Sequence, residues 1–481
     1  MNKEIVFKGE WFLPDNLDNK IKGILTFKPN EKYSLLELFG SFYEFENTDN
    51  IDFILGTTFD GTEITLHKCY IQNLRGVPKN PEQRLRLRRR NLSGQQSSSY
   101  AVEFIFEGAH IKNYNELSFD EILSEIFNLD EWLGVHGFSN IDTNFEMDDS
   151  LNLNLNYVEP KPIDFKINDD LSGAFRFNVT KSSTSQFQKE YSLKQTTYLT
   201  LLSKASLSLT DCIHCLFKFQ NFLVISLYTN TNPLNIELIC DKIFEDVRVG
   251  ETEYIQIKKR VKLYFSHRKS IVNKTPKTHF QMLFTYDDIK ENFPLIIKNW
   301  FENYKRLDAT FNLIFYHFYM NEKIIDVFFL NLAQAAESFH LLLNIKNKHS
   351  RILPRAEFNK KKKKIEDSLN DVDLFKWVNM QLNNKLILEM RLRELIKQYS
   401  IPSVSSFIGD TEVFIKQVKH TRNYLTHFDP EGKKNALDGL DLVELYLKLQ
   451  RLLIGAILIE VGFDKELLNQ LFINKSSRVF N

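Results

Sequence analysis

The chain has 481 residues, 43% of them apolar, enough for several hydrophobic cores and, at roughly 100 to 200 residues per domain, roughly two to four domains. Lys plus Arg and Asp plus Glu both count 62, so a global attraction to nucleic acid or to an anionic surface is excluded and any basic surface has to be local. Four cysteines, Cys69, Cys212, Cys215 and Cys240, are too few for a disulfide scaffold and point to reduced thiols.

The opening segment, from Met1 to Asn16, mixes polar and apolar residues with no basic stretch leading into an apolar run, so the expectation is a cytoplasmic protein. Asp60-Gly61 lies between Ile54-Leu55 and the alternating Glu63-Ile64-Thr65-Leu66-His67, a short-range hairpin signal. Arg84 to Arg90 then alternate with leucine and pass into the polar segment Asn91 to Ser99. That run reads either as a phosphate-contacting arm or as an edge strand kept from pairing by its charge. Strict alternation returns in Leu151 to Tyr157 and in Ala174 to Val179, implying half-buried strands with one wet face.

Cys212-Ile213-His214-Cys215 has the spacing of half a zinc site, which Cys69 and Cys240 would complete. No second close pair exists, and Leu216, Phe217 and Phe219 follow at core-like spacing, so the favoured expectation is buried free cysteines with no metal and no cofactor.

The pattern changes near Pro294. From Leu295 to Ile345 apolar residues recur at three- and four-residue spacing, among them Ile324, Val327, Phe328, Leu332, Ala335, Phe339 and Leu342, as in a pair of helices. Further helices fit Leu374 to Tyr399, Val404 to Phe428 with Pro430 as the stop, and Leu440 to Val461. The apolar stretch Leu452 to Phe463 is shorter than the roughly 20 residues of a membrane span and contains Glu460, so it reads as a buried helix. Asn359 is followed by Lys360, Lys361, Lys362, Lys363 and Lys364, either a solvated face or a local positive field for RNA. The expected fold is therefore α+β: a β-rich, sandwich-like region over 1–290, with a break near 145–165 if it holds two subdomains, then an all-α domain over 295–481.

Within the last third, Arg422 is followed by Asn423 and, five residues after the arginine, by His427. Histidine both takes and gives protons near neutral pH, and a guanidinium holds phosphate through a planar fork of donors, the two needs of metal-free phosphodiester cleavage. Arginine followed after four to six residues by histidine is a loose pattern, which Arg260 and His267 also match across an alternating, strand-like stretch. On a helix Asn423 and His427 share one face and the amide can orient the imidazole, while Arg422 lies roughly 140° away and converges through its length. Tyr424 and Phe428 fit either base stacking or a helix core.

Three segments together, Thr421 to His427, Phe329 to His340 and Ile454 to Phe463, resemble the Apea-like HEPN domain. Gly9-Glu10-Trp11-Phe12-Leu13-Pro14, Gly23 to Phe27, Ile54-Leu55-Gly56 and Asn128 to Gly134 resemble the N-terminal domain of ApeA-type proteins, so the likeness spans nearly the whole chain. The resemblance implies a bacterial anti-phage protein acting by abortive infection, whose helical domain is a metal-independent endoribonuclease. It implies a homodimer in which Arg422 and His427 of two subunits line one cleft, with RNA as substrate; transfer RNA is the target suited to arresting translation, and a phage-derived component the expected trigger. It also implies that Glu337, on the upstream helix, faces the cleft and orients Arg422. Asp429 stands where a related toxin subfamily has tyrosine, so a modification switch at that tyrosine is not expected. The competing reading is a catalytically silent module that grips nucleotides or RNA and recruits a partner.

Overall fold

A computed structural model describes residues 4–29, 31–42, 50–75, 97–145, 151–182, 192–249, 253–265, 275–320, 324–344, 351–369 and 371–479. It divides into two compact units, one of residues 1–279 with 285–288 and one of residues 280–284 with 289–481. The arginine-rich run and His267 lie outside the described residues.

The N-terminal unit is built on one antiparallel sheet. Its strands are β1 (Ile5–Leu13), β2 (Asn16–Phe27), β3 (Ser34–Leu38), β4 (Ile51–Thr58), β5 (Glu63–Arg75), β6 (Ser97–Glu107), β7 (Ser118–Ile126), β10 (Ile163–Lys166), β11 (Leu171–Lys181), β12 (Leu193–Ser208), β13 (Pro233–Val249) and β14 (Glu253–Phe265). Two further strands, β8 (Phe138–Phe145) and β9 (Leu151–Tyr157), form a separate hairpin sheet.

Strands β1, β2, β3, β6, β5 and β4 hydrogen-bond in that order and β4 returns to β1, closing a six-stranded barrel. This corrects the expected sandwich: alternating strands close on themselves here instead of packing as two facing sheets. Closure hinges on β6, whose first half pairs with β3 and whose second half pairs with β14 along one edge, while β5 runs along the other. From β14 the sheet continues through β13, β7, β12 and β11 to β10. The unit also carries α1 (Leu129–Leu133) and α2 (Leu209–Leu227), and α2 packs on β7 and β12.

The Asp60-Gly61 turn forms where expected. Gly61 takes φ 89°, and the Thr62 amide donates to Thr58 Oγ1 at 2.9 Å. The barrel is filled by Trp11, Leu25, Phe27, Leu36, Leu38, Ile54, Ile64, Leu66, Cys69, Tyr100, Val102 and Ile105. Leu66 and Cys69 both point inward although they stand three positions apart: Lys68 between them takes φ 58°, and the pairing with β4 and β6 continues in register across it. Trp11 on β1 faces Gly56 on β4, where a Cβ would stand 2.3 Å from the indole ring.

The second unit is all-α among its described residues, apart from one isolated bridge and a 3-10 turn. Its helices are α3 (Phe293–Tyr319), α4 (Ile325–Asn344), α5 (Arg355–Ser368), α6 (Val372–Gln381), α7 (Leu388–Tyr399), α8 (Pro402–Ile408), α9 (Thr411–His427), α10 (Gly439–Glu460) and α11 (Lys465–Val479). Helix α10 is the hub. It is buried nearly all round from Leu449 to Leu458 and packs against α4, α7, α8, α9 and α11.

Two of the expected helices are each interrupted. Leu374 to Tyr399 is broken between Gln381 and Leu388, and Val404 to Phe428 is broken at Gly409, which takes φ 76° just before the cap residue Asp410. Across the second break both segments bury an apolar face, Val404 and Ile408 on α8 and Phe414, Ile415 and Val418 on α9, whereas across the first α6 buries no residue and α7 buries Leu388, Leu392, Leu395 and Tyr399.

Gly56→Ala is expected to destabilise the barrel by about 1 to 3 kcal/mol, since the added methyl must displace the Trp11 ring. Thermal melting with tryptophan fluorescence measures it; an unchanged melting temperature would show that the ring moves freely.

Candidate active site

Helix α9 carries the site and its ends are firmly set. The Asp410 carboxylate accepts from the Glu412 and Val413 amides, each at 2.9 Å, so a side chain satisfies two donors that the helix leaves open. Phe414, Ile415, Val418, Thr421 and Leu425 form its buried stripe, facing α4 and α7. Two ion pairs tie α9 to α7: Arg393 bonds both carboxylate oxygens of Glu412, at 2.9 and 2.7 Å, and Lys419 Nζ lies 3.1 Å from Glu389. The Leu437 amide donates to the buried Thr421 hydroxyl at 3.1 Å, tethering the chain that leaves the helix. The helix stops at Phe428, which adopts φ 51° while its amide donates to the Tyr424 carbonyl.

With that stripe buried, Asn423, Thr426 and His427 face solvent and Arg422 sits half-buried at the border. The Arg422 guanidinium reaches α4, where Nη2 lies 3.5 Å from Oε1 of Glu337, and Nη1 donates to Oδ1 of Asn423 at 3.3 Å. Glu337 is held from a second side, because its backbone carbonyl accepts from Arg391 Nη1 on α7 at 2.8 Å. The Arg422–Glu337 pair is about one third exposed on both sides, so it contributes about 1 kcal/mol at most and serves chiefly to aim the guanidinium.

His427 stands exposed on the last turn, with no hydrogen bond or ion pair among the described residues. The Asn423 amide therefore orients Arg422, where the helical spacing had suggested that it would orient the imidazole; the long guanidinium side chain folds across its neighbour and takes the amide oxygen. The result is a solvent-facing imidazole one helical turn from a guanidinium braced by a carboxylate and an amide. Such a set can move protons and bind an anion.

The other candidates fall elsewhere. Lys360, Lys361, Lys363 and Lys364 are exposed on α5 and Lys362 is half-buried, and α5 packs mainly on α6. Phe428 is exposed, with its ring edge-on to Tyr424 at 5.8 Å. Cys212 and Cys215 lie on α2, Cys69 is inside the barrel and Cys240 is on β13. Burial pushes the Cys240 thiol up to about 12 and raises those of Cys69, Cys212 and Cys215, which disfavours the thiolate that zinc needs. Among the described residues no group of three or more His, Cys, Asp or Glu is placed to hold a metal ion.

Two neighbours of the site were not singled out from the sequence. Arg391 has no motif around it and reaches Glu337 only through the packing of α7 on α4. His340, one turn beyond Glu337, is buried and bonds Glu394 of α7 through Nε2; its three-residue offset from Glu337 on an apolar helix was the available signal.

The Apea-like HEPN family model matches residues 330–467, a span that includes Glu337, Arg422 and His427, so the helical domain is of the HEPN class. The model of ApeA N-terminal domain 1 matches residues 6–300, more than half of the chain, which therefore belongs to the ApeA family. No curated protein and no solved structure matches the chain significantly. At the level of the family the chain is an anti-phage HEPN protein of a class whose domains are generally ribonucleases. Among the described residues no helix is long and apolar enough to cross a membrane.

Replacing Asp410 by Ala removes the cap of α9 and is expected to cost about 1 kcal/mol. Chemical denaturation checks it; an unchanged midpoint would mean that water replaces the carboxylate at no cost.

Proposed function

We propose that this protein is a cytoplasmic anti-phage effector whose helical domain is a metal-independent endoribonuclease, acting by abortive infection. The observation that carries the reading is the arrangement on α9: His427 open to solvent on the last turn, and Arg422 aimed by Glu337 and Asn423, inside a domain of the Apea-like HEPN family.

The chemistry follows from those groups. His427 takes the proton from a ribose 2′-OH, and the oxygen attacks the adjacent phosphorus. The P–O5′ bond breaks, leaving a 2′,3′-cyclic phosphate on one fragment and, once protonated, a 5′-OH on the other. Arg422 meets the added negative charge of the pentacoordinate state as a preorganised donor, and Glu337 and Asn423 position it. A homodimer formed through the helical domain supplies a second His427, which protonates the leaving 5′-oxygen, so one residue type serves as base and as acid. Transfer RNA suits the biological end, since cutting it arrests translation. The β-rich N-terminal region restrains the nuclease until a phage-derived trigger engages it, because an enzyme that is always active would harm its host.

Total RNA incubated in EDTA with the wild-type protein and a phage-infected extract should yield fragments ending in 2′,3′-cyclic phosphate. His427→Ala should reduce cleavage by about 10²-fold or more, and Arg422→Ala by about 10²- to 10³-fold. Glu337→Gln should cost about tenfold or less, in kcat more than in KM. RNA left equally intact by wild type and His427→Ala would sink the nuclease reading. Light scattering should give a dimer; a monomer with full activity contradicts the shared-site mechanism.

A further inference from the structure

Between α4 and the motif helix the chain leaves the bundle as a helical hairpin. Its two legs close at the base through an antiparallel bridge between Arg351 and Lys385, and Asn384 pairs with the Leu353 backbone in both directions, at 2.8 and 2.9 Å. Asp371 starts the second leg by accepting from the Asp373 and Leu374 amides. The legs, α5 and α6, pack on each other, Phe358 and Ile365 on one and Phe375 and Val378 on the other are half-buried, and neither leg contains a buried residue. The hairpin thus has a defined base and two solvated sides.

Its chemistry is unlike that of the neutral chain. Nine Lys and Arg stand against five Asp and Glu between 351 and 387, and Lys360 to Lys364 run without interruption. Two of the carboxylates are already engaged inside the hairpin, Glu357 by Lys361 at 3.7 Å and Asp373 by Lys376 at 3.1 Å. Beside this charge α6 presents Trp377, 58% exposed, whereas Trp11, Trp132 and Trp300 are fully buried. A large aromatic ring held in water on the helix that packs against the lysine-bearing one is suited to a ligand that is both polyanionic and aromatic. Lysines meet phosphates without regard to sequence, and an indole stacks on any base that is not already stacked in a duplex.

We propose that the α5–α6 hairpin is a capture arm for single-stranded RNA, in which Lys360, Lys363 and Lys364 contact the backbone and Trp377 stacks on an unpaired base. The arm deepens the ribonuclease reading and rests on it for its purpose: it selects, as the substrate class, RNA with unpaired nucleotides. A fully paired duplex satisfies the lysines but hides its bases, so it meets only half of the arm.

Because the other three tryptophans are buried, contact quenching by a base arriving from solvent reaches Trp377. Titrating the full-length His427→Ala protein, which keeps RNA intact, with single-stranded oligouridylate should quench emission, and a blunt RNA duplex should quench it far less. Trp377→Ala should weaken oligouridylate binding by roughly tenfold with the salt dependence unchanged. Lys360, Lys363 and Lys364 replaced together by Gln should lower the slope of log K against log salt by about 2. All four positions are exposed, and the quenching itself needs no substitution at the arm.

Oligouridylate binding that leaves the emission unchanged, or equal quenching by the duplex, overturns the proposal. So does quenching by anionic phospholipid vesicles with none by RNA, which would make the hairpin a membrane contact. The two readings fail separately: cleavage by the wild type without Trp377 quenching removes the arm and leaves the nuclease, while quenching without cleavage leaves the arm and removes the nuclease.

Discussion

The rotation of α9 about its own axis decides what the helical domain offers to solvent. Five side chains, Phe414, Ile415, Val418, Thr421 and Leu425, are buried along one stripe. Each large apolar one of these is worth about 1.5 to 3 kcal/mol, while the ion pairs of Arg393, Lys419 and Arg422 are surface interactions worth about 1 kcal/mol or less apiece. The apolar stripe therefore sets the angle and the charges refine it. Once the stripe is down, Asn423 and His427 have only solvent to face, and Arg422, next to the buried Thr421, has to stretch across to α4.

That dependence explains what could be read in advance. The hairpin at Asp60-Gly61, the change from strands to helices near Pro294 and the α9 motif are local signals, written in spacing and turn chemistry. Barrel closure is not local: β6 meets β3, β5 and β14 across long stretches of chain, and alternation says which face of a strand is wet without saying which strand lies beside it. The positive φ of Lys68 further shifts the alternation of β5. In the site the same division holds. Arg422 and His427 stand out by spacing and Glu337 by likeness to a family, but Arg391 enters only because α7 crosses α4.

Glu337 joins two layers of the helical domain with one residue. Its carboxylate faces Arg422 on α9, and its carbonyl receives Arg391 from α7. In the proposed reaction a guanidinium anchored this way would need little reorganisation to meet a developing charge, the condition under which electrostatic stabilisation is most effective. Because the second bond uses backbone, side-chain changes at 337 alter the aim of Arg422 while leaving the crossing of α4 and α7 intact.

The closed barrel has a consequence for how the protein behaves in a crowded cell. A sheet of twelve strands would ordinarily end in two open edges, each a template for pairing with another chain. Here one end of the strand order is consumed by barrel closure, and the strand at the other end is β10. That strand is four residues long, Ile163–Lys166, with the charged Asp164 and Lys166 alternating along it. A short, charged border is a poor nucleus for edge-to-edge pairing with another chain.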